Sequence, residues 1–387
     1  MNEHISLNLG NRDFFEIFCK FQLYLLFPVQ FFYLLNPDLF PSTFGISFGT
    51  LMHFILFCFN FVFLSIKSEK NIDVILLFFF VLYLLIVLAI NLLIDDLPEN
   101  ISYQYLGFIF SILNYFSIGY LCFISFSSLE KHFSYLFYST IIIFYTWLFF
   151  GSSDISQLFE DVQISYLALS EIFLLISGIY ICTQIGSYKL LVLIPIAFVT
   201  QTLLYSRSAL VGFLVMILFL FLLSTKRSIS IIILILLPIL FYLLVSSDIG
   251  IERQLNLFFN LFQDSSVRTR LEGFREFWMV FLNNPLGGDL GWHVEYFEEG
   301  KGKYIHSHLS YISSFGILAG VFIIYFAFRV FERLLKKDNK IRHLAPIFFA
   351  FLIIDIFARA WMYTIIWFLI GILLSLNYKD LKREKDF

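Results

Sequence analysis

Apolar runs of about 20 residues recur along most of this chain, each long enough to cross the ~30 Å hydrocarbon core of a bilayer as a helix. In lipid every backbone polar group must be bonded inside the structure, which leaves helices and closed barrels. A barrel would show short segments of alternating polarity, and the sequence has none. The pattern therefore predicts an all-α polytopic membrane protein. Composition agrees: of 387 residues, 59% are hydrophobic, 53 are Phe and only 14% are charged, against about 25% in soluble domains.

Spans are expected near 17–35, 44–66, 74–94, 105–126, 133–150, 164–182, 190–204, 208–223, 229–246, 308–328, 344–358 and 361–376, about twelve transmembrane helices. They divide the chain into a helical part over 1–246, a large polar loop over 247–307, and a final helical part with a tail over 308–387. Met1 to Asn11 lacks the order of a cleaved signal, so the first span is expected to stay.

Positive charge tests the count, because cytoplasmic loops retain Lys and Arg. Alternate connections carry Arg12 and Lys20, then Lys67 and Lys70, then Lys131, Lys189, and Lys226 with Arg227. The connection after the tenth span has Arg329, Arg333, Lys336, Lys337, Lys340 and Arg342, and the tail has Lys379, Lys382, Arg383 and Lys385. The intervening short loops are neutral or acidic. Both termini are thus expected in the cytoplasm and the long loop is expected to face outward, toward the periplasm or cell exterior. The basic stretch 329–342 reads as a topology signal, not a nucleic-acid site. The net charge of −3 implies little by itself. Cys19, Cys58, Cys122 and Cys182 lie in or beside apolar runs without metal spacing, as buried apolar cysteines would.

Three features break the charge pattern. Arg207 falls on the expected outer side, in Ser206-Arg207-Ser208, between two short spans. At ~1.5 Å per residue, 190–204 reaches only ~22 Å, so the turn is expected below the outer surface. A guanidinium there costs about 2.5–3.5 kcal/mol on insertion scales and needs an anion: a substrate group, a lipid headgroup, or an acid such as Glu171. Arg359 falls on the same side, four residues after Asp355, close enough on a helix for the two to pair. The long loop carries Arg268, Arg270 and Arg275, then Asn284-Pro285-Leu286-Gly287-Gly288, then His306-Ser307-His308. A helix is expected from about Val267 to Leu282, with Arg268 and Arg275 on one face. Arginine offers phosphate a planar fork of donors, and the glycines, Gly288 among them, permit a tight turn or a close approach of backbone to ligand. A histidine at the membrane boundary is either a general base near neutral pH or an interfacial polar residue. No DxD motif for a metal-held sugar nucleotide, no Gly-rich nucleotide loop and no nucleophile triad is present.

Together these residues resemble the Wzy-type O-antigen polymerases and the O-antigen ligases. Ser206-Arg207-Ser208-Ala209-Leu210 looks like the family's Ser-Arg-Ser segment. Arg270 followed by Pro285 and Gly288 is similar to its Arg, aromatic, Asn-Pro-Leu-x-Gly pattern. His306-Ser307 with Gly316-Ile317-Leu318-Ala319-Gly320 looks like its His-Asn/Ser segment entering a glycine-containing helix. The chain departs from that pattern at Phe274, where Trp is usual, and at Leu290, often Gly. The resemblance implies a GT-C-like, metal-independent glycosyltransferase with no cofactor. Its substrate would be an undecaprenyl-pyrophosphate-linked oligosaccharide, its setting the membrane lipids, and a chain-length regulator protein a further partner. It implies that Arg207 and Arg270 hold the pyrophosphate, that His306 is the base with His308 a second candidate, and that Arg268, Arg275 and Arg359 extend the cationic cradle. A polymerase is favoured over a ligase that passes glycan to a lipid A core or a protein. Other classes that fit the spans are a flippase of lipid-linked sugar and a structural membrane protein.

Overall fold

A computed structural model describes residues 9–36, 39–40, 47–67, 71–94, 99–125, 129–151, 166–223, 227–246, 277–279, 281–290, 309–335, 342–357 and 363–375. The described residues form helices and turns and no strand. In chain order the helices are α1 (Leu9–Tyr24), α2 (Gln30–Leu35), α3 (Phe48–Lys67), α4 (Ile72–Ile94), α5 (Glu99–Ser125), α6 (Leu129–Gly151), α7 (Tyr166–Thr183), α8 (Leu190–Leu203), α9 (Arg207–Leu223), α10 (Arg227–Val245), α11 (Leu309–Phe315), α12 (Ile317–Leu335), α13 (Ala345–Phe357) and α14 (Ile366–Leu374).

Among the described residues, six stretches are long and apolar enough to cross a membrane: Glu16–Leu35, Phe48–Ile66, Ile72–Ile94, Leu129–Phe150, Tyr166–Thr183 and Ser228–Val245. Shorter apolar helices run over Tyr105–Leu121, Leu190–Leu203 and Arg207–Leu223. The protein is a membrane-embedded helical bundle. Its outward faces are as oily as its interior: Leu93, Phe149, Leu222, Ile235 and Ile324 all project from it, as lipid-facing side chains do.

Three expected spans differ in detail. The first is one long helix with a π-turn over Leu25–Val29, joining α1 to α2. Pro28 lies in that turn, where a residue without an N–H is accommodated by widening the helix locally. The tenth is broken: α11 ends at Phe315, Gly316 takes φ 80°, and α12 begins at Ile317. The last helix, α14, has nine residues, well short of the 361–376 expected. The cysteines also differ in part, since Cys19 and Cys182 are buried but Cys58 lies on the exposed face of α3.

Close helix packing is set by glycines. A Cβ on Gly119 of α5 would sit 2.1 Å from the Phe368 carbonyl oxygen of α14, and one on Gly371 would sit 2.1 Å from the Phe116 oxygen. Gly212 of α9 similarly receives the Ile354 side chain of α13, whose Cδ1 would be 2.4 Å from an added Cβ. Association in lipid relies on such packing because burial of apolar surface supplies little drive there.

Polar contacts fix which helices are neighbours. On α5, Asn114 Nδ2 donates to the His53 carbonyl at 2.7 Å, and its Oδ1 accepts from Asn60 Nδ2 at 3.0 Å, which ties α5 to α3. At the start of α4, Asp73 is 1% exposed. Its carboxylate accepts from Arg329 Nε at 2.9 Å, from Arg329 Nη2 at 3.1 Å and from the Tyr325 hydroxyl at 2.7 Å. This planar two-point pair holds one end of α4 against the far end of α12, so the two helices run antiparallel.

Candidate functional site

Two of the expected site residues, Arg207 and Gly288, are described. Arg268, Arg270, Arg275, His306, His308 and Arg359 lie outside the described residues.

Arg207 begins α9, directly after a tight turn from α8. Helix α8 has 14 residues, so it rises only about 21 Å and the chain reverses deep among the helices. Leu203, Leu204, Tyr205 and Ser206 are all buried. Tyr205 takes φ 62°, a left-handed conformation that a bulky side chain seldom adopts. Ser170 of α7 donates from its hydroxyl to the Leu204 carbonyl at 3.0 Å, meeting one of the carbonyls that a helix end leaves open.

Ser206 explains its place before the arginine. Its Oγ accepts from the Ala209 N–H at 3.4 Å, its carbonyl accepts from the Leu210 N–H at 3.0 Å, and its hydroxyl lies 3.3 Å from that of Ser208. It is the N-cap of α9, which puts Arg207 in the first helical position. A half-buried guanidinium thereby joins the positive end of a helix dipole. That combination favours an anion. Glu171, the acid offered above as an alternative partner, is buried on α7 next in sequence to Ser170.

One residue here went unnoticed in the sequence. Gln201 on α8 is fully buried, and neither amide atom finds a hydrogen-bond partner among the described residues. Buried amides are nearly always bonded. The available signal was the polar triplet Thr200-Gln201-Thr202 closing an apolar run.

The second grouping forms around Gly288. Asn284 uses its whole side chain locally: Nδ2 donates to the Gly288 carbonyl at 2.7 Å and Oδ1 accepts from the Gly287 N–H at 3.1 Å. This shapes 284–288 into a compact turn, as Asn commonly does. The turn packs on the break between α11 and α12. Asp289 N–H donates to the Ser313 carbonyl at 2.7 Å, and Ile317 N–H donates to the Pro285 carbonyl at 2.9 Å.

Only glycine allows this contact. Gly288 has φ 67°, and a Cβ there would lie 2.3 Å from the Ser314 carbonyl carbon. Gly316 has φ 80°, and a Cβ there would lie 2.0 Å from the Leu286 oxygen. The close approach that Gly288 permits is thus to the backbone of 314–315. Two segments that carried the family resemblance, Asn284–Gly288 and the run beginning at Gly316, are bonded backbone to backbone. They form a staple between the residues that precede and follow 291–308 in the chain; that stretch, which contains both histidines, lies outside the described residues.

Helix α4 holds the staple from the side. Tyr83 donates from its hydroxyl to the Leu286 carbonyl at 3.1 Å and also reaches the Phe315 carbonyl. Asn91 accepts the Leu290 N–H on Oδ1 at 3.2 Å while its Nδ2 donates to the Val87 carbonyl at 2.8 Å. Neither residue was singled out in the sequence. The signal was two polar side chains about two turns apart on a helix that is otherwise apolar after Asp73, a spacing that keeps them on one side.

Beside the staple, a cavity of about 30 Å³ between α11, α12, α13 and α14 is lined by Tyr311, Asp355, Tyr363 and Trp367 among apolar side chains. Trp367 Nε1 donates to the Tyr311 hydroxyl at 3.1 Å. The described contacts therefore place Arg207 with α7 and α8, and Gly288 with α4, α11 and α12. No protein-family model matches the chain, and a search of the curated proteins finds no match, so any reading of this site stands on its own residues.

Proposed function

We propose that this protein is a polysaccharide polymerase, of the O-antigen or capsule type, with about twelve spans and a GT-C-like architecture. It joins undecaprenyl-pyrophosphate-linked repeat units at the outer face of the bacterial inner membrane, with both termini in the cytoplasm. The observation that carries this reading is the staple. It ties the Asn-Pro-Leu-Gly-Gly segment to the helix break at Gly316, so two of the segments that carry the resemblance meet backbone to backbone.

In this reading the acceptor sugar hydroxyl attacks the anomeric carbon of the donor. Its proton passes to His306. The bond from the anomeric carbon to the pyrophosphate oxygen breaks, and undecaprenyl pyrophosphate departs with the electron pair. Arg207 and Arg270 stabilise the charge that grows on the leaving group, in place of a metal ion. The dipole of α9 adds to Arg207 at that moment. Arg268, Arg275 and Arg359 enlarge the cationic surface, membrane lipids present the substrate, and a chain-length regulator is the expected protein partner.

The test is product length. Purified protein in lipid receives only the cognate undecaprenyl-pyrophosphate repeat unit, beside His306→Ala and His308→Ala. A ladder of longer lipid-linked glycans from wild type, absent from His306→Ala, supports the reading. A ladder lost only in His308→Ala moves the base to that residue. No ladder from folded wild type with authentic substrate removes the polymerase reading and leaves transfer to a lipid A core or protein acceptor to be assayed.

A further inference from the structure

We propose that the turn at Asn284–Gly288 is re-entrant: it lies at the middle of the bilayer beside α4, and Trp278, Met279, Leu282 and Leu286 rest against the acyl chains of membrane lipids. This placement does not depend on the polymerase reading.

Helix α4 gives the depth. It has 23 residues and is long and apolar enough to cross the membrane, so it rises about 34 Å against a hydrocarbon core of ~30 Å. Tyr83 lies midway along it, about 16 Å from either end. Its hydroxyl bonds the Leu286 and Phe315 carbonyls, which puts the turn level with the centre of α4. Asn91 lies about 12 Å nearer the Ile94 end and accepts the Leu290 N–H. The chain from Leu286 to Leu290 therefore runs along α4 away from its centre. Helix α12 agrees. Ile317, just past the break, is about 18 Å along that helix from Arg329, whose guanidinium bonds Asp73 at the start of α4. The break too stands halfway along α4.

The backbone is fitted to that depth. In hydrocarbon an unbonded N–H or C=O is costly, and irregular backbone persists there only where the protein bonds it. From Gly287 to Leu290 every N–H is bonded: to Asn284 Oδ1, the Asn284 carbonyl, the Ser313 carbonyl and Asn91 Oδ1 in turn. The carbonyls of Pro285, Leu286 and Gly288 accept from the Ile317 N–H, the Tyr83 hydroxyl and Asn284 Nδ2. A turn in water has no such need, because solvent bonds these groups.

The side chains suit the same place. Trp278 is 61% exposed, Met279 62%, Leu282 71% and Leu286 70%, whereas Phe277 is buried. Trp278 and Met279 precede Leu282 by four and three residues on a short helical stretch, which puts the three on one side, with Asn283 at its edge. A patch of exposed apolar side chains marks a contact with membrane or protein. This one continues the lipid-facing wall of the bundle. Pro285 is bonded to Ile317, from which the exposed Leu318, Val321 and Ile324 run along α12, and Tyr83 adjoins the exposed Leu82 on α4. Acyl chains that cover those helices reach the turn as well.

The experiment measures depth in nanodiscs, on the full chain with its native cysteines replaced by alanine. Nitroxide labels are placed at Leu286→Cys, Leu82→Cys and Leu93→Cys, and their collisions with oxygen and with a water-soluble nickel chelate are compared. The label at Leu286→Cys is expected to match that at Leu82→Cys and to lie about 16 Å deeper than that at Leu93→Cys. A label as open to the nickel chelate as that at Leu93→Cys overturns the proposal. So does one shielded from both reagents, since a second copy or another protein then covers the patch. Trp278 provides a check with the cysteines in place. The emission lost in Trp278→Phe is expected to be quenched by lipids brominated on their acyl chains and spared by acrylamide. Quenching by acrylamide without quenching by bromolipid overturns the lipid contact.

Discussion

Gly119 and Gly371 seat each other's helices: each lies where the other helix presents a carbonyl oxygen, at 2.1 Å from any added Cβ. The contact is reciprocal, since Phe116 O faces Gly371 and Phe368 O faces Gly119. Backbone on both sides leaves no flexible side chain to yield. Gly119→Ala and Gly371→Ala are each expected to force α5 and α14 apart. Overpacking of this kind costs about 1–3 kcal/mol, sometimes more. The thermal midpoint of purified protein in detergent should fall by about 1–4 °C, and a midpoint within error of wild type would contradict the packing.

The Asp73–Arg329 pair makes a different prediction. Removing one partner strands a buried charge and costs about 3–5 kcal/mol, whereas replacing both by apolar residues can be close to neutral. Arg329→Met, which leaves the 1% exposed Asp73 carboxylate behind, should lower the thermal midpoint more than the double variant Asp73→Leu with Arg329→Met. Additive losses would show that the pair is not coupled.

Much of this fold is legible in the sequence, and the reason is period and length. The run 74–94 reads as a span because almost every side chain in it is apolar, and α4 covers Ile72–Ile94. The 190–204 and 208–223 runs read as short, and α8 and α9 are short. What could not be read was decided by contacts between distant residues. Within 308–328 the apolar pattern singles out no stop, since Gly316 and Gly320 are both residues that helices in membranes often tolerate. The break is fixed by Leu286 and by Tyr83, far away in the chain. For the site, the Ser206-Arg207-Ser208 triplet was visible as chemistry, but its role as cap and first helical residue needed the turn at Tyr205. The partners of Tyr83 and Asn91 lie about 200 residues further along the chain.

Gly316 itself can be tested. Alanine there must adopt a left-handed backbone, at about 1–2 kcal/mol, and would also meet the Leu286 oxygen at 2.0 Å. Gly316→Ala should part the staple. Limited proteolysis ought then to cut within 284–290 faster than in wild type, while the α5–α14 contact stays protected. Unchanged cleavage would argue against the staple.

Arg207 separates charge from shape. In the polymerase reading Arg207→Ala should lower chain-extension turnover by about 10²–10³-fold, the usual loss for one electrostatic donor. Arg207→Lys keeps the charge but loses the planar fork and should fall between. Because Ser206 still caps α9, neither variant should shift the thermal midpoint much. A large shift with proportionate loss of activity would make Arg207 a structural residue.

The staple also changes what covalent continuity means in this chain. Pro285 is bonded to Ile317 and Asp289 to Ser313, so the described residues before and after 291–308 are fastened to each other whether or not the peptide between them is whole. A single nick in that stretch would leave both new ends tethered to the bundle, and an inserted segment would add only a slowly growing closure cost.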